Sequence, residues 1–339
     1  MDKMKHIVFT RKDTAELLEY DFPGYNDDQV VVQTTFSTIS CGTEKANITG
    51  NTSVNAAAPE EEIPHFPRSC GYCSAGVVVA VGANVKSVAV GDRVAMFSSK
   101  HCNYNILPEN NVIPLDSKTT DQEAAIGFIS TFPLAAVRKV NPGLGESTLV
   151  MGLGILGQLA VQFAHAAGAV PVIAADPVKE RREMALAHGA DYAFDPTEPD
   201  FAEKVKAVSR GGVNTAIEVT GVGEGLDKAL DCMKKMGRVA LLGCTRDKNF
   251  TIDYYRKVHF PGIVLLGAHT NARPDVESYP QHFTHRDDIL AFLDLCAGGR
   301  ICVRDMIGEV AAPEDCTDVY HRLISDRNFP VVVQFDWRK

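Results

Sequence analysis

Between Gln29 and Asp116 apolar and polar residues alternate in short runs, "QVVVQTTFSTIS", "AGVVVAVGANV" and "GDRVAMF", punctuated by Gly, Asn and Asp. Period-two alternation with turn residues between the runs predicts a β-barrel or sandwich. The intervening stretch "NTSVNAAAPEEEIPHFPRS" is too rich in Pro, Glu and small residues for a core, and predicts a long surface loop. Near Thr120 the texture changes. Apolar runs such as "STLVMG", "VPVIAAD", "TAIEVTG", "VALLGC" and "GIVLLGAH" now alternate with helical patterns such as "GQLAVQFAHAAGA", "VKERREMALAHGA", "PDFAEKVKAVSR" and "GEGLDKALDCMKKMGR". Strand and helix in alternation predict a doubly wound parallel sheet of six strands. After about Thr270 a helix "RDDILAFLDLCAGGR" and a terminal strand "PVVVQFDW" predict a return to the first domain. The expected organisation is therefore α/β, with residues 1–122 and 270–339 in a β-rich domain and 123–269 in the doubly wound one.

The length of 339 residues agrees with two domains of ordinary size. With 45% hydrophobic and 23% charged residues and a formal charge of −9, the chain is not expected to bind nucleic acid or an anionic membrane. Its first residues, "MDKMKHIVFTRKD", lack the apolar core of a signal peptide, and no apolar run reaches membrane-spanning length. Nine scattered cysteines suit reduced thiols better than a disulfide framework. A cytoplasmic protein with a small-molecule substrate is the expectation.

The doubly wound half carries the most specific motif. In "VMGLGILGQLAVQFA", Gly152, Gly154 and Gly157 form G-x-G-x-x-G directly after a strand and at the opening of a helix. In this setting the first glycine makes a tight turn, the second lets backbone approach a pyrophosphate, and the third lets helix and strand pack closely. The N–H groups of Ile155, Leu156 and Gly157 would then face the phosphate charge. Asp176, closing "VPVIAAD", stands where a carboxylate can accept both ribose hydroxyls and repel a 2′-phosphate, which favours NAD over NADP. Lys179, Arg181 and Arg182 follow and keep NADP open. Thr220, Gly221, Gly243 and Gly267 end later strands of the sheet, where ligands bind in open α/β folds.

Taken together, the chain resembles the medium-chain dehydrogenase/reductase superfamily, the zinc alcohol dehydrogenase and quinone reductase group. "AGVVVAVGANVKSVAVGDRVAMF", then "ILPENNVIPL", then the glycine-rich unit and the return follow that family's order, and "GANVKSVAVGDRV" is similar to its V-G-x-x-V-x-x-x-x-x-G-D-x-V signature. The resemblance implies a GroES-like β-barrel catalytic domain beside a Rossmann domain, and it implies a homodimer built through "GIVLLGAH". It also implies a zinc held by three side chains. Cys41 and Thr43 match the first ligand and its proton-relaying hydroxyl, but the G-H-E histidine has become Tyr72 in Gly71-Tyr72-Cys73, and the third position falls on Gly127. The structural zinc lobe is reduced to Cys102. Zinc is therefore not expected. If it is present, Cys41, Cys73 and His101 are the ligands to test, with Cys70, Cys102 and His65 nearby.

Without metal, something else must stabilise charge on the substrate oxygen. Tyr72 is expected to donate a hydrogen bond or, with a lowered pKa, a proton; Thr43 is the second hydroxyl. His269 follows the sixth strand, where with Gly267 and Ala268 the family places contacts to the nicotinamide, and a histidine there suits general acid work. Glu44 and Lys45 read as solvated turn charges. The expected function is NAD(P)-dependent interconversion of an alcohol and a carbonyl on a small polar substrate. An NADPH-dependent quinone or enone reductase and a non-catalytic dinucleotide sensor are the alternatives.

Overall fold

A computed structural model describes residues 3–51, 66–245 and 249–339. The strands are β1 (Lys3–Arg11), β2 (Thr14–Asp21), β3 (Gln29–Thr38), β4 (Arg68–Ser69), β5 (Cys73–Val81), β6 (Arg93–Phe97), β7 (Tyr104–Pro108) and β8 (Val112–Pro114), followed by β9 (Thr148–Met151), β10 (Val172–Ala175), β11 (Tyr192–Phe194), β12 (Val213–Glu218), β13 (Met233–Leu241) and β14 (Val264–Gly267), then β15 (Ile307–Ala311) and β16 (Val332–Asp336).

Contacts divide the chain into two compact units. The first holds residues 1–129, 289–297 and 303–339, and the second 130–288 and 298–302. Two of the four crossings between them fall within helices, Gly127–Val140 and His285–Ala297. Residues 270–288, read from texture as part of the return, cluster with the second unit. Their buried charges explain it: Arg273 and Arg138 both bridge Asp288, at 3.0 and 2.9 Å, and all three residues belong to that unit.

In the first unit β15, β16, β3, β5, β6 and β8 form one sheet in that order, with β7 also on β3, and β2, β1 and β4 form a second. Pairing is antiparallel except between β15 and β16. The apolar residues of this unit fill two cores. Val30 and Val32 join Val78, Val94, Met96 and Val112, while Ile7, Phe9, Ile39, Ile48, Tyr320, Phe335 and Trp337 form the other. Each such large apolar side chain contributes about 1.5–3 kcal/mol on burial.

The second unit is a six-stranded parallel sheet in the order β11-β10-β9-β12-β13-β14, the doubly wound arrangement with its switch point between β9 and β12. One expectation fails here. "CMKKMGR", read as the end of a helix, begins β13, because the helix Gly223–Asp231 stops at Cys232. Met236 takes a left-handed φ of 62° and its N–H donates to the Pro261 carbonyl, an irregularity that helical spacing does not reveal. Among the described residues no helix is long and apolar enough to cross a membrane.

Candidate active site

The glycine-rich turn joins β9 to the helix Ile155–Ala166, whose N-cap is Gly154. Gly152 has φ 96°, and a Cβ on Gly157 would stand 1.9 Å from the Gly152 carbonyl oxygen, so both positions need glycine. A Cβ on Gly154 would meet nothing within 4 Å. The backbone there borders open space, as close approach of a pyrophosphate requires, and the N–H groups of Ile155, Leu156 and Gly157 begin the helix beside it. The residues thus fit a dinucleotide.

Asp176 follows β10 and is 4% exposed. One carboxylate oxygen accepts the Leu153 N–H at 2.8 Å and the other the Val178 N–H at 2.9 Å, tying the turn to the neighbouring strand. Each oxygen keeps a further lone pair for a ribose hydroxyl. Of the nearby cations, Arg182 donates to the Asp176 and Pro177 carbonyls and Lys179 pairs with Glu183, while Arg181 lies 3.9 Å from the Asp176 carboxylate. At the end of β12, Glu218 accepts the N–H groups of Thr220 and Gly221 and the Thr220 hydroxyl; burial raises its pKa. Sequence reasoning named Thr220 but missed the carboxylate that shapes its turn. Gly243 donates to the Glu218 carbonyl and Ala268 to the Leu241 carbonyl; the Gly267 carbonyl accepts Lys139. His269 is exposed, and its Nδ1 accepts the Asn271 N–H at 3.2 Å.

In the first unit, the stretch after β3 becomes the helix Cys41–Ile48 with Ser40 at its N-cap. Tyr72, between β4 and β5, donates its hydroxyl hydrogen to Ser40 Oγ in a short contact, and the Thr43 side chain lies near enough to pull the phenol pKa down. The two hydroxyls singled out in sequence therefore converge, with Ser40 as an unforeseen third. Phe128 packs edge-on against the Tyr72 ring at 5.5 Å and stacks on Phe97. Burial drives the Tyr72 pKa up, against the opposing pull of these hydrogen bonds. Of the two roles open to Tyr72, the raised pKa favours the hydrogen-bond donor over the proton donor.

Glu44 is corrected more sharply. It is 2% exposed, because the first helical turn points it inward. Its carboxylate accepts the Ser40 N–H at 2.9 Å, faces His101 Nε2 at 3.2 Å, and accepts the Tyr320 hydroxyl in a short contact. Although burial opposes it, the charge and hydrogen bond of His101, with Tyr320 and Ser40, hold the Glu44 pKa below its usual value. Lys45 turns away and donates to the Ile324 carbonyl. Gly71 makes the cluster possible. With φ 82°, a Cβ there would stand 2.6 Å from the His101 backbone nitrogen.

The positions that the family resemblance assigns to zinc do not make a ligand set. Tyr72 is engaged with Ser40, and Gly127 offers no side chain. The alternative set Cys41, Cys73 and His101 does not assemble either. Cys73 Sγ accepts the Phe128 N–H at 3.2 Å and burial pushes its thiol up to about 12, whereas His101 lies with Glu44 and Cys70. Cys102 donates to the Tyr104 carbonyl, and His65 lies outside the described residues. Among the described residues, Glu44, Cys70 and His101 have ligand atoms within 4.8 Å of one another. Each also has a hydrogen-bond partner, Cys70 donating to the Ile7 carbonyl at 3.1 Å.

The parallel sheet order and the open turn beneath it define a dinucleotide-binding protein. Residues 26–140 match the family model described as alcohol dehydrogenase GroES-like domain, and residues 156–284 the one described as zinc-binding dehydrogenase. The chain belongs to the medium-chain dehydrogenase/reductase superfamily, and is an NAD(P)-dependent oxidoreductase working between alcohol and carbonyl. L-threonine 3-dehydrogenase of Pyrococcus horikoshii is 29% identical over 296 residues, 78% of this chain and 83% of the relative. D-guloside 3-dehydrogenase of Escherichia coli is 24% identical over 351 residues, 95% and 96% of the two chains. A solved alcohol dehydrogenase of Escherichia coli CFT073, complexed with NADH, superposes with TM-score 0.83 at 19% identity, covering 99% of this chain and 100% of that one.

Proposed function

We propose that this protein interconverts a secondary alcohol and a ketone on a small polar substrate with NAD, and that the Tyr72, Thr43 and Ser40 hydroxyls take the place of a catalytic zinc. The observation that carries this reading is the hydroxyl cluster itself, at the position where the resemblance implies metal. When bound, the nicotinamide supplies or accepts the hydride. With substrate in place the Ser40 hydroxyl turns its own hydrogen to the Tyr72 oxygen, which frees the Tyr72 hydrogen, kept on the phenol by burial, for the substrate oxygen, and Thr43 adds a second donor. The preference for NAD rests on Asp176, whose carboxylate would repel a 2′-phosphate. His269, exposed at the end of the sixth strand, is the remaining candidate for proton exchange with solvent. The threonine and guloside dehydrogenase names of the two relatives support a polar substrate.

A homodimer is part of the proposal. The edge strand β14 leaves Val264 46% and Leu265 38% exposed beside an open row of backbone groups, and a second copy would cover both. Cytoplasmic residence is supported by nine cysteines with no disulfide between them.

Transfer of deuterium from labelled NADH to a panel of polyol-derived and amino-acid-derived ketones tests the reading. Tyr72→Phe should lower kcat/KM on the order of 100-fold with NADH affinity retained. Silence across the panel would favour a non-catalytic sensor, and a firm NADPH preference with enone turnover would favour C=C reduction.

A further inference from the structure

The opening helix of the site carries an acidic residue that its surroundings hold from every side. Glu44 receives three donors from three different parts of the first unit: the Ser40 N–H, His101 Nε2 and the Tyr320 hydroxyl. His101 is fixed in turn, because its Nδ1 lies 2.7 Å from Ser37 Oγ, and Ser37 Oγ accepts the Trp337 indole N–H at 2.9 Å. Trp337 can only donate, which leaves Ser37 one hydrogen and one lone pair. A neutral ring accepts the Ser37 hydrogen at Nδ1 and carries its own at Nε2. A charged ring donates at both nitrogens. In either state Nε2 presents a hydrogen to Glu44, so the arrangement closes without depending on how His101 titrates. Ser37, Glu44, His101 and Tyr320 are all 2% exposed or less.

We propose that Glu44, held by His101 and Tyr320, is a positioning residue for catalysis that acts on Tyr72 through Ser40. Its carboxylate grips the Ser40 backbone N–H, and the side chain of the same residue accepts the Tyr72 hydroxyl. The carboxylate therefore sets where the N-cap stands, and the N-cap sets where the phenol points. Buried among its donors, Glu44 acts through Ser40 and not by contact with substrate. A displacement of about 1 Å at a reacting group costs on the order of 100-fold in rate, which is the scale of effect available to such a support. The proposal rests on the reading of Tyr72 as the oxygen-binding donor.

The test is steady-state kinetics on full-length Glu44→Gln, Ser40→Ala, Tyr320→Phe and Tyr72→Phe, with NADH affinity measured separately by fluorescence. Glu44→Gln keeps the shape but turns an amide NH2 toward donors. It should lower kcat on the order of 10- to 100-fold, leaving NADH affinity and the KM of the carbonyl substrate nearly unchanged. Tyr320→Phe removes one donor and gives a smaller loss in a protein expected to fold, so the result does not hang on one variant. Glu44→Gln combined with Tyr72→Phe should be no slower than Tyr72→Phe alone, because the two act in series. Losses that multiply would overturn the proposal, as would an impaired Tyr72→Phe beside a fully active Glu44→Gln. Full activity in Tyr72→Phe would instead overturn the catalytic reading beneath it. A divalent metal that copurifies and is lost in Cys70→Ser would replace this network and also overturn the proposal.

Discussion

His101 Nε2 stands 3.2 Å from the Glu44 carboxylate with neither side chain more than 3% exposed, so a potential ion pair lies inside the core that frames the site. Removing one partner strands the other. His101→Ala should cost about 3–5 kcal/mol of stability, read as a lower urea midpoint with an unchanged slope. An unaltered midpoint would mean that Glu44 finds another donor or loses its charge.

The metal and metal-free readings of "STISCGTEKANITG" differ at two residues. Cys41→Ser should be mild, because among the described residues no ligand set assembles around that thiol, whereas Thr43→Val should lower kcat/KM on the order of 100-fold by removing a hydroxyl beside Tyr72. The reverse order of effects would restore a zinc-centred mechanism.

Asp176 offers a test of cofactor choice with a ratio as its readout. Asp176→Ala should raise kcat/KM with NADPH relative to NADH, since the carboxylate is lost and Arg181, 3.9 Å away, is released to meet a phosphate. The substitution also frees the Leu153 N–H, so NADH binding should weaken at the same time.

Acid should destabilise the fold through two half-buried histidines. Desolvation, aided by nearby positive charge, lowers the pKa of His285 to about 3 and that of His6 to about 4. Both are neutral in the folded chain where the unfolded chain is protonated, so their contribution is complete above about pH 6.5 and falls as pH drops toward these values. His285→Gln, which keeps a partner for Thr131 at that position, should flatten the decline in urea midpoint between pH 6.5 and pH 4.

Leu265→Asp on β14 should give a monomer by sedimentation equilibrium with the fold intact, because it places charge on an exposed edge and leaves the interior untouched. A wild-type monomer would remove the homodimer from the proposal.

Much of the doubly wound unit is legible in sequence because its determinants are local. A parallel sheet buried on both faces needs apolar runs, its crossovers need helical patterns, and the phosphate turn needs glycine where φ is positive or where backbone approaches backbone, as at Gly152 and Gly157. Each requirement is written within a few neighbouring residues. The strand start at Met233 escaped this reading, because a left-handed residue and a bond to Pro261 have no periodic signature.

The hydroxyl site was legible only in part. Thr43 and Tyr72 could be singled out, since each stands at or beside a position with a known task in the family. The hold of Ser40 on Tyr72 could not be read, nor could the burial of Glu44. The carboxylate looked solvated because its donors lie far away in sequence: His101 is 57 positions on, and Tyr320 is 276. The sequence by itself determined the fold class, the two kinds of domain and the dinucleotide turn, all consequences of short-range pattern and backbone geometry. Tertiary packing alone placed the acid three residues past Cys41 in the interior and set the Tyr72 hydroxyl against Ser40. A buried charge is stable only where distant donors are brought to it, and that meeting depends on the packing of the whole unit.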